Sequence, residues 1–237
     1  MKVIAGPCVI EGESWFIDWA GKLSEFFADY PVEWILKGSF DKANRTSADG
    51  YRGISRLQAL QALARTQYEY GCTVTTDVHE PNQCEEVSVY VDILQIPAFL
   101  GRQTSLLQAA ASTGKIVNIK KPQWMTGAEC GSIVDKAKGA KEIWITHRGN
   151  HYGPGSLVVD PLDFWGMSAH SKTVILDITH TNHKLGLNSY WLAKIAKACD
   201  LEGIFAELHP SPKNAKCDAE FQLSLDEFKP IIEELVS

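Results

Sequence analysis

No stretch of the 237-residue chain approaches the roughly 20 consecutive apolar residues that a bilayer-spanning helix needs, so no membrane partner is expected. Cys-x-x-Cys pairs are missing too. The six cysteines, at positions 8, 72, 84, 130, 199 and 217, are scattered. Such spacing points to reduced thiols in a cytoplasmic protein and away from a disulfide framework. There is no Pro/Gly/Ser-rich linker, no low-complexity tract, and no glycine fingerprint of a dinucleotide site or phosphate loop. The apolar run after Met1 is too short for a secretory signal, and Pro7 stands where a lipidated cysteine would require a small residue. Positive charge is in deficit: 23 Lys and Arg against 29 Asp and Glu leave a formal net charge of -6. Nucleic acid is therefore disfavoured as a partner, and any anion must be held by a local cluster of cations.

What is present is an ordinary globular composition, 45% hydrophobic and 22% charged, laid out in a regular alternation. Eight short runs rich in Val, Ile, Leu and Thr read as strands covered on both faces: Val3 to Ala5, Glu33 to Lys37, Thr73 to Asp77, Ile93 to Ile96, Ile116 to Lys120, Glu142 to Thr146, Val174 to Asp177 and Gly203 to Glu207. Between them lie amphipathic stretches such as Arg56 to Leu63, Leu106 to Ala111 and Leu192 to Ala198, with apolar positions three and four apart. Eight such pairs in a chain of this length predict one (β/α)₈ barrel domain over residues 1–237, with an open doubly wound sheet as the alternative.

In a barrel the reactive groups gather at the carboxyl ends of the strands. Those ends and their loops offer Cys8 and Glu11; Lys37 and Lys42; Asp77, His79 and Glu80; Gln95; Lys120 and Lys121; His147 and Arg148; Asp177 and His180; Glu207 and His209. Two sets stand out. Lys37, Lys42, Arg45, Lys120 and Arg148 are like charges that would repel one another, and a polyanion such as a phosphorylated substrate is expected to compensate them. Cys8, His180, Glu207 and Asp218 offer one thiolate, one imidazole and two carboxylates, which suits a divalent ion of intermediate softness: Fe²⁺, Mn²⁺, Zn²⁺ or Co²⁺. Spacing alone does not single that set out, since a lone cysteine after a strand is commonly core packing. His151, His170 and His183 read as solvated, His79 and His209 as supporting groups, and the seven tryptophans as core.

Several longer motifs now become informative. Ile4-Ala5-Gly6-Pro7-Cys8-Val9-Ile10-Glu11, the Lys37 to Ser47 stretch, Thr76-Asp77-Val78-His79-Glu80, Gln95 to Leu100, Asn118-Ile119-Lys120-Lys121-Pro122-Gln123 and Ala215-Lys216-Cys217-Asp218 together resemble the 3-deoxy-D-manno-octulosonate 8-phosphate synthases. Lys42-Ala43-Asn44-Arg45-Thr46-Ser47 discriminates, because the related heptulosonate synthases typically carry Lys-Pro-Arg-Thr-Ser there. The resemblance implies a cytoplasmic barrel enzyme, usually a homotetramer, that condenses phosphoenolpyruvate with arabinose 5-phosphate and releases inorganic phosphate. It implies that Lys37, Lys42, Gln95, Lys120 and Arg148 hold phosphoenolpyruvate, that Asn44, Arg45 and Thr46 hold the aldose phosphate, and that Asp77 also contacts substrate. Cysteine at position 8 matches the metal-dependent class, whose ligands would map to Cys8, His180, Glu207 and Asp218; Lys42, His180 and Asp218 would be the catalytic groups. The chain departs from the pattern in a shortened loop between His180 and the next helix, and in His147, which stands where an acidic residue usually precedes the arginine. Another aldose phosphate therefore stays open, as do a non-catalytic sugar-phosphate binder and an aldolase with a Schiff-base lysine at Lys37 or Lys120.

Overall fold

The computed structural model describes residues 1–45, 47–153, 157–181 and 188–237. Its strands and helices alternate along the chain: β1 (Lys2–Gly6), α1 (Glu13–Ala28), β2 (Glu33–Lys37), α2 (Arg56–Tyr70), β3 (Thr73–Asp77), α3 (Gln83–Ser88), β4 (Ile93–Ile96), α4 (Thr104–Ser112), β5 (Ile116–Lys120), α5 (Gly131–Lys136) and β6 (Ile143–His147). A small antiparallel pair follows, β7 (Asn150–His151) with β8 (Leu157–Val158), and then α6 (Pro161–Ser168), β9 (Val174–Asp177), α7 (Ser189–Ala198), β10 (Gly203–Glu207) and α8 (Leu225–Val236). The eight long strands are all parallel and close in the order β1-β10-β9-β6-β5-β4-β3-β2. Closure excludes the open-sheet alternative, and the expected strands lie within one or two residues of the observed ones.

Side chains alternate across a strand, so each strand has an inward and an outward parity. Inward-facing Ile4, Ile35, Ile93, Trp144, Ile175 and Phe205 form a dry plug. Full burial of each such side chain stabilises the fold by about 1.5–3 kcal/mol. The outward parity, including Val3, Leu36, Val74, Val117, Ile145 and Ile204, packs against the helices. Two residues beyond the plug on the same inward parity come Lys37, Gln95, Asp177 and Glu207, all buried. The apolar floor thus dictates where the polar ring stands.

Local chemistry sets the helix ends. Ser55 caps α2 and accepts from the Gln58 amide, while Gly71, at φ 63, stops the helix in the left-handed region that glycine adopts without strain. Ser224 and Glu227 form a capping box that starts α8, whose Phe228, Ile231, Ile232 and Leu235 share one buried face. Gly6 is required by contact: a Cβ there would sit 2.0 Å from the Lys37 carbonyl, so any side chain would push β2 and Lys37 away from β1.

The reading of the tryptophans as core needs correction. Trp19 and Trp144 are buried, but Trp124, Trp165 and Trp191 are exposed. On α6 the inward face is made by Phe164 and Met167, and on α7 by Leu192, Ala193 and Ala196, which turns Trp165 and Trp191 to the outside. All six cysteines are free thiols, and among the described residues no helix is long and apolar enough to cross a membrane.

Candidate active site

The inward parity and the loops beyond it enclose a cavity of about 540 Å³ at the carboxyl ends of the strands. Lys37, Lys42, Asn44, Arg45, Asp77, Gln95, Lys120, Arg148, His180, Glu207 and Asp218 all line it. Cys8, fully buried, lies behind the wall with its Sγ 3.0 Å from Asp218 Oδ2. Thr46 lies outside the described residues, as do His183 and most of the loop after His180.

The charges are compensated in a way the sequence reading missed. Lys37 Nζ lies 3.2 Å from Glu207 Oε1 and donates to the Cys8 carbonyl at 2.6 Å; Lys120 Nζ is 2.6 Å from Asp177 Oδ2; Lys42 Nζ is 3.1 Å from Asp218 Oδ2. Carboxylates from β9, β10 and the loop beyond therefore hold three of the five cations, and no polyanion is needed for those. Asp41 pairs with Arg52 instead. Lys120 also sits 3.4 Å from the centre of the Phe205 ring, directly on the plug.

Arg148 is different. It is half-buried, and among the described residues no carboxylate lies within ion-pair distance of it. Burial pushes its guanidinium below the usual range, and Asp177 and Glu207 offset this only from a distance. Its guanidinium carbon lies 5.7 Å from the centre of the Phe99 ring, and a desolvated cation without a direct counter-ion marks the place where an anion would bind.

Parity also sorts neighbours that the sequence offered together. Lys120 faces the cavity, whereas Lys121, one residue on, points outward and reaches the Met125 carbonyl at 2.6 Å and Asp163 at 3.2 Å. His147 is likewise turned away from the cavity, with its Nε2 3.4 Å from Asp163 Oδ2. Asp163 further accepts from the Gly127 amide and the Asn150 amide, each at 2.6 Å. The acidic group missing from position 147 is thus supplied from α6, and the network anchors the turn that presents Arg148. His151, read as solvated, is exposed but also lines the cavity, and His209 pairs with Glu11 at 3.4 Å.

Asp77 accepts from Ser39 and lies 3.0 Å from His79 Nε2. Burial alone would raise the Asp77 carboxyl, but His79, Lys37 and Lys42 hold it well below the usual carboxylate range. For His79 burial works against protonation, and the hydrogen bond and charge of Asp77 outweigh it, so its pKa is raised. A raised histidine stabilises the fold fully below its unfolded pKa, and the contribution fades as pH climbs through the folded one. The urea midpoint of wild type should therefore exceed that of His79→Gln by more at about pH 5.5 than at about pH 9. A gap independent of pH would show that the pair contributes nothing through protonation.

The donor set proposed for a metal can be tested on the same geometry. His180 Nδ1 lies 2.8 Å from Asp177 Oδ2, which fixes the ring and leaves Nε2 facing Glu207 at 3.7 Å. Burial depresses the His180 pKa despite Asp177, so the ring is neutral at neutral pH with a lone pair to offer. Glu207 Oε2 is buried without a hydrogen-bond partner. One ligand atom each from His180, Glu207 and Asp218 lie within 4.8 Å of one another, and the same holds for Cys8, Cys217 and Asp218. These residues fit a divalent ion. Cys217 and Asp177 were not in the expected sets; adjacency to Asp218 and shared parity with Ile175 were the signals that could have found them.

A closed parallel barrel with an uncompensated arginine, buried ion pairs and a nitrogen, oxygen and sulphur donor set at one mouth defines an anion-handling (β/α)₈ barrel with its reactive groups at the strand ends. The chain belongs to the DAHP synthetase I family, whose sequence profile matches residues 1–237. Among its relatives, the 2-dehydro-3-deoxyphosphooctonate aldolase of Rickettsia bellii (strain OSU 85-389) is 40% identical over 245 residues, covering 98% of this chain and 89% of the relative. Proteins with the same name in Rickettsia prowazekii (strain Madrid E) and Nitrobacter winogradskyi are each 40% identical, over 242 and 251 residues, covering 97% and 100% of this chain and 88% and 87% of theirs.

Proposed function

We propose that this chain condenses phosphoenolpyruvate with an aldose phosphate, arabinose 5-phosphate as first choice, giving 3-deoxy-D-manno-octulosonate 8-phosphate and inorganic phosphate. The observation that carries the reading is Arg148, a cation without a direct counter-ion in a cavity whose three lysines are already paired with carboxylates. In this reading Arg148, Lys120, Lys37, Lys42 and Gln95 hold phosphoenolpyruvate by its phosphate and carboxylate, while Asn44, Arg45, Thr46 and Asp77 receive the aldose phosphate. The enol methylene carbon attacks the aldehyde, water adds to the neighbouring carbon, and phosphate leaves by carbon–oxygen cleavage.

Each residue has a defined task. Fixed cations meet charge that both substrates already carry, so they mainly position the reacting carbons, which can account for several kcal/mol of the barrier (about 7–11 at the limit). Burial opposes a charged Lys42, but Glu207 and Asp218 keep it protonated, which makes it the candidate donor to the former aldehyde oxygen. Cys8, His180, Glu207 and Asp218 would hold a divalent ion, of which Mn²⁺, Fe²⁺, Zn²⁺ and Co²⁺ suit the donors. Such an ion supplies Lewis-acid polarisation of an oxygen or a more acidic water. Asp177 orients His180 and Lys120 at once. We also assign the protein to the cytoplasm and to a homotetramer.

The test is a phosphate-release panel over pentose and tetrose phosphates with Mn²⁺, Fe²⁺ or Zn²⁺ added. Phosphate should appear only when phosphoenolpyruvate and an aldose phosphate are both present. Calorimetric binding of both ligands without turnover at any of the ions would favour a non-catalytic binder and sink the synthase.

A further inference from the structure

Cys217 lies outside the donor set that the motifs imply, yet it stands among those donors. Its Sγ is 2.8 Å from Cys8 Sγ and 3.3 Å from Asp218 Oδ2. Both sulphurs are buried, and the trio they form with Asp218 shares that carboxylate with the His180–Glu207–Asp218 trio. The pairing is built by a clamp. Gln222, itself buried, accepts from the Cys8 amide through Oε1 at 3.0 Å and donates through Nε2 to the Cys217 carbonyl at 2.8 Å, so one side chain holds both loops together.

Three further features point the same way. Asp218 has φ 49, in the left-handed region that costs a non-glycine residue about 1–2 kcal/mol, and this conformation keeps its carboxylate between the two trios. Arg45 Nη1 donates to Cys217 Sγ at 2.7 Å, a contact that holds this sulphur beside Cys8. Independently of the sulphurs, the Glu207 Oε2 atom, in a residue only 1% exposed, has no hydrogen-bond partner, as expected of an acceptor awaiting a cation.

We propose that Cys217 is an additional ligand of the divalent ion, forming with Cys8 a two-sulphur site that favours a thiophilic ion such as Zn²⁺ over Mn²⁺. The inference rests on the metal reading given under Proposed function. Two thiolates bound at about 2.3 Å to one five-coordinate ion stand roughly 3.3–4 Å apart, so the pair parts by about 0.5–1 Å when loaded. Donor softness then decides the preference: a second thiolate stabilises a softer ion and does little for an oxygen-seeking one.

The probe is Co²⁺, titrated under reducing conditions into wild type, Cys8→Ser, Cys217→Ser and the double variant while sulphur-to-cobalt charge-transfer absorption is recorded. Wild type should show about twice the intensity of either single variant, and the double variant none. Full intensity in Cys217→Ser with complete loss in Cys8→Ser would overturn the assignment of Cys217 while leaving the metal reading standing. Failure of wild type to bind Co²⁺ at all would overturn both. X-ray absorption on the Zn²⁺-loaded, unsubstituted protein gives a readout that no misfolded variant can blur: two sulphur scatterers per zinc are expected, and one refutes the proposal.

Discussion

Arg148→Met is expected to lower kcat/KM by about 10³-fold without lowering Tm. The catalytic part follows from two charge-assisted hydrogen bonds to a substrate anion, each about 1.5–3 kcal/mol. Together they come to about 4 kcal/mol, and each 1.4 kcal/mol or so is tenfold in rate. The stability part follows from the absence of a direct counter-ion: Arg148 is desolvated at a cost that the Phe99 ring, 5.7 Å from its guanidinium, and the more distant Asp177 and Glu207 repay only in part, so a methionine of similar length, which keeps the contact with Phe99, should leave Tm unchanged or raise it. Steady-state kinetics on the full panel and a thermal melt read both halves. A loss smaller than about tenfold would remove Arg148 from the anion site, and a clear drop in Tm would show that it is a structural residue. Lys120 offers a poorer test, because removing it would strand buried Asp177 and confuse binding with folding.

Exhaustive chelation should abolish turnover, by about 10³-fold or more, with activity restored on adding back Mn²⁺, Co²⁺ or Zn²⁺. Chelation is a cleaner experiment than mutating a ligand. Glu207→Gln would remove the carboxylate that compensates Lys37, and breaking a buried pair costs about 3–5 kcal/mol on its own account. Cys8→Ala avoids that difficulty, since Cys8 carries no ion pair with Lys37 and gives that lysine only its main-chain carbonyl. The variant should bind the ion weakly and recover part of its activity at high metal concentration. Undiminished activity in metal-free buffer would remove the ion from the mechanism and leave His180, Glu207 and Asp218 as a proton-transfer set.

The barrel was legible in the chain because eight β-branched runs alternate with helical periodicity, a pattern that survives without knowledge of contacts. The cations at one mouth were legible for the same reason, as strand-end residues. What composition could not show was who faces whom. Lys120 meets Asp177 across 57 residues of sequence, and Lys37 meets Glu207 across 170, so the acids that neutralise them lie far outside any local window. Adjacent pairs were also indistinguishable: Lys120 and Lys121, or Arg148 and His147, look equally eligible until the plug fixes which parity faces inward. Cys217 stands in a motif beside Asp218, but only the fold brings it against Cys8. The choice of aldose is tied to the shortened loop after His180, and positions 182–187 of that loop fall outside the described residues, as does Thr46.

One measurement bears most directly on the claim that a single cavity joins two phosphorylated molecules. Phosphoenolpyruvate carrying heavy oxygen in its bridging position is incubated with arabinose 5-phosphate and metal-loaded protein, and phosphate and 3-deoxy acid are quantified in the same sample. Equal amounts of the two products, with the label in the phosphate and neither product formed from phosphoenolpyruvate alone, is the predicted result. Phosphate released without the aldose, or the label retained in the acid, would contradict it.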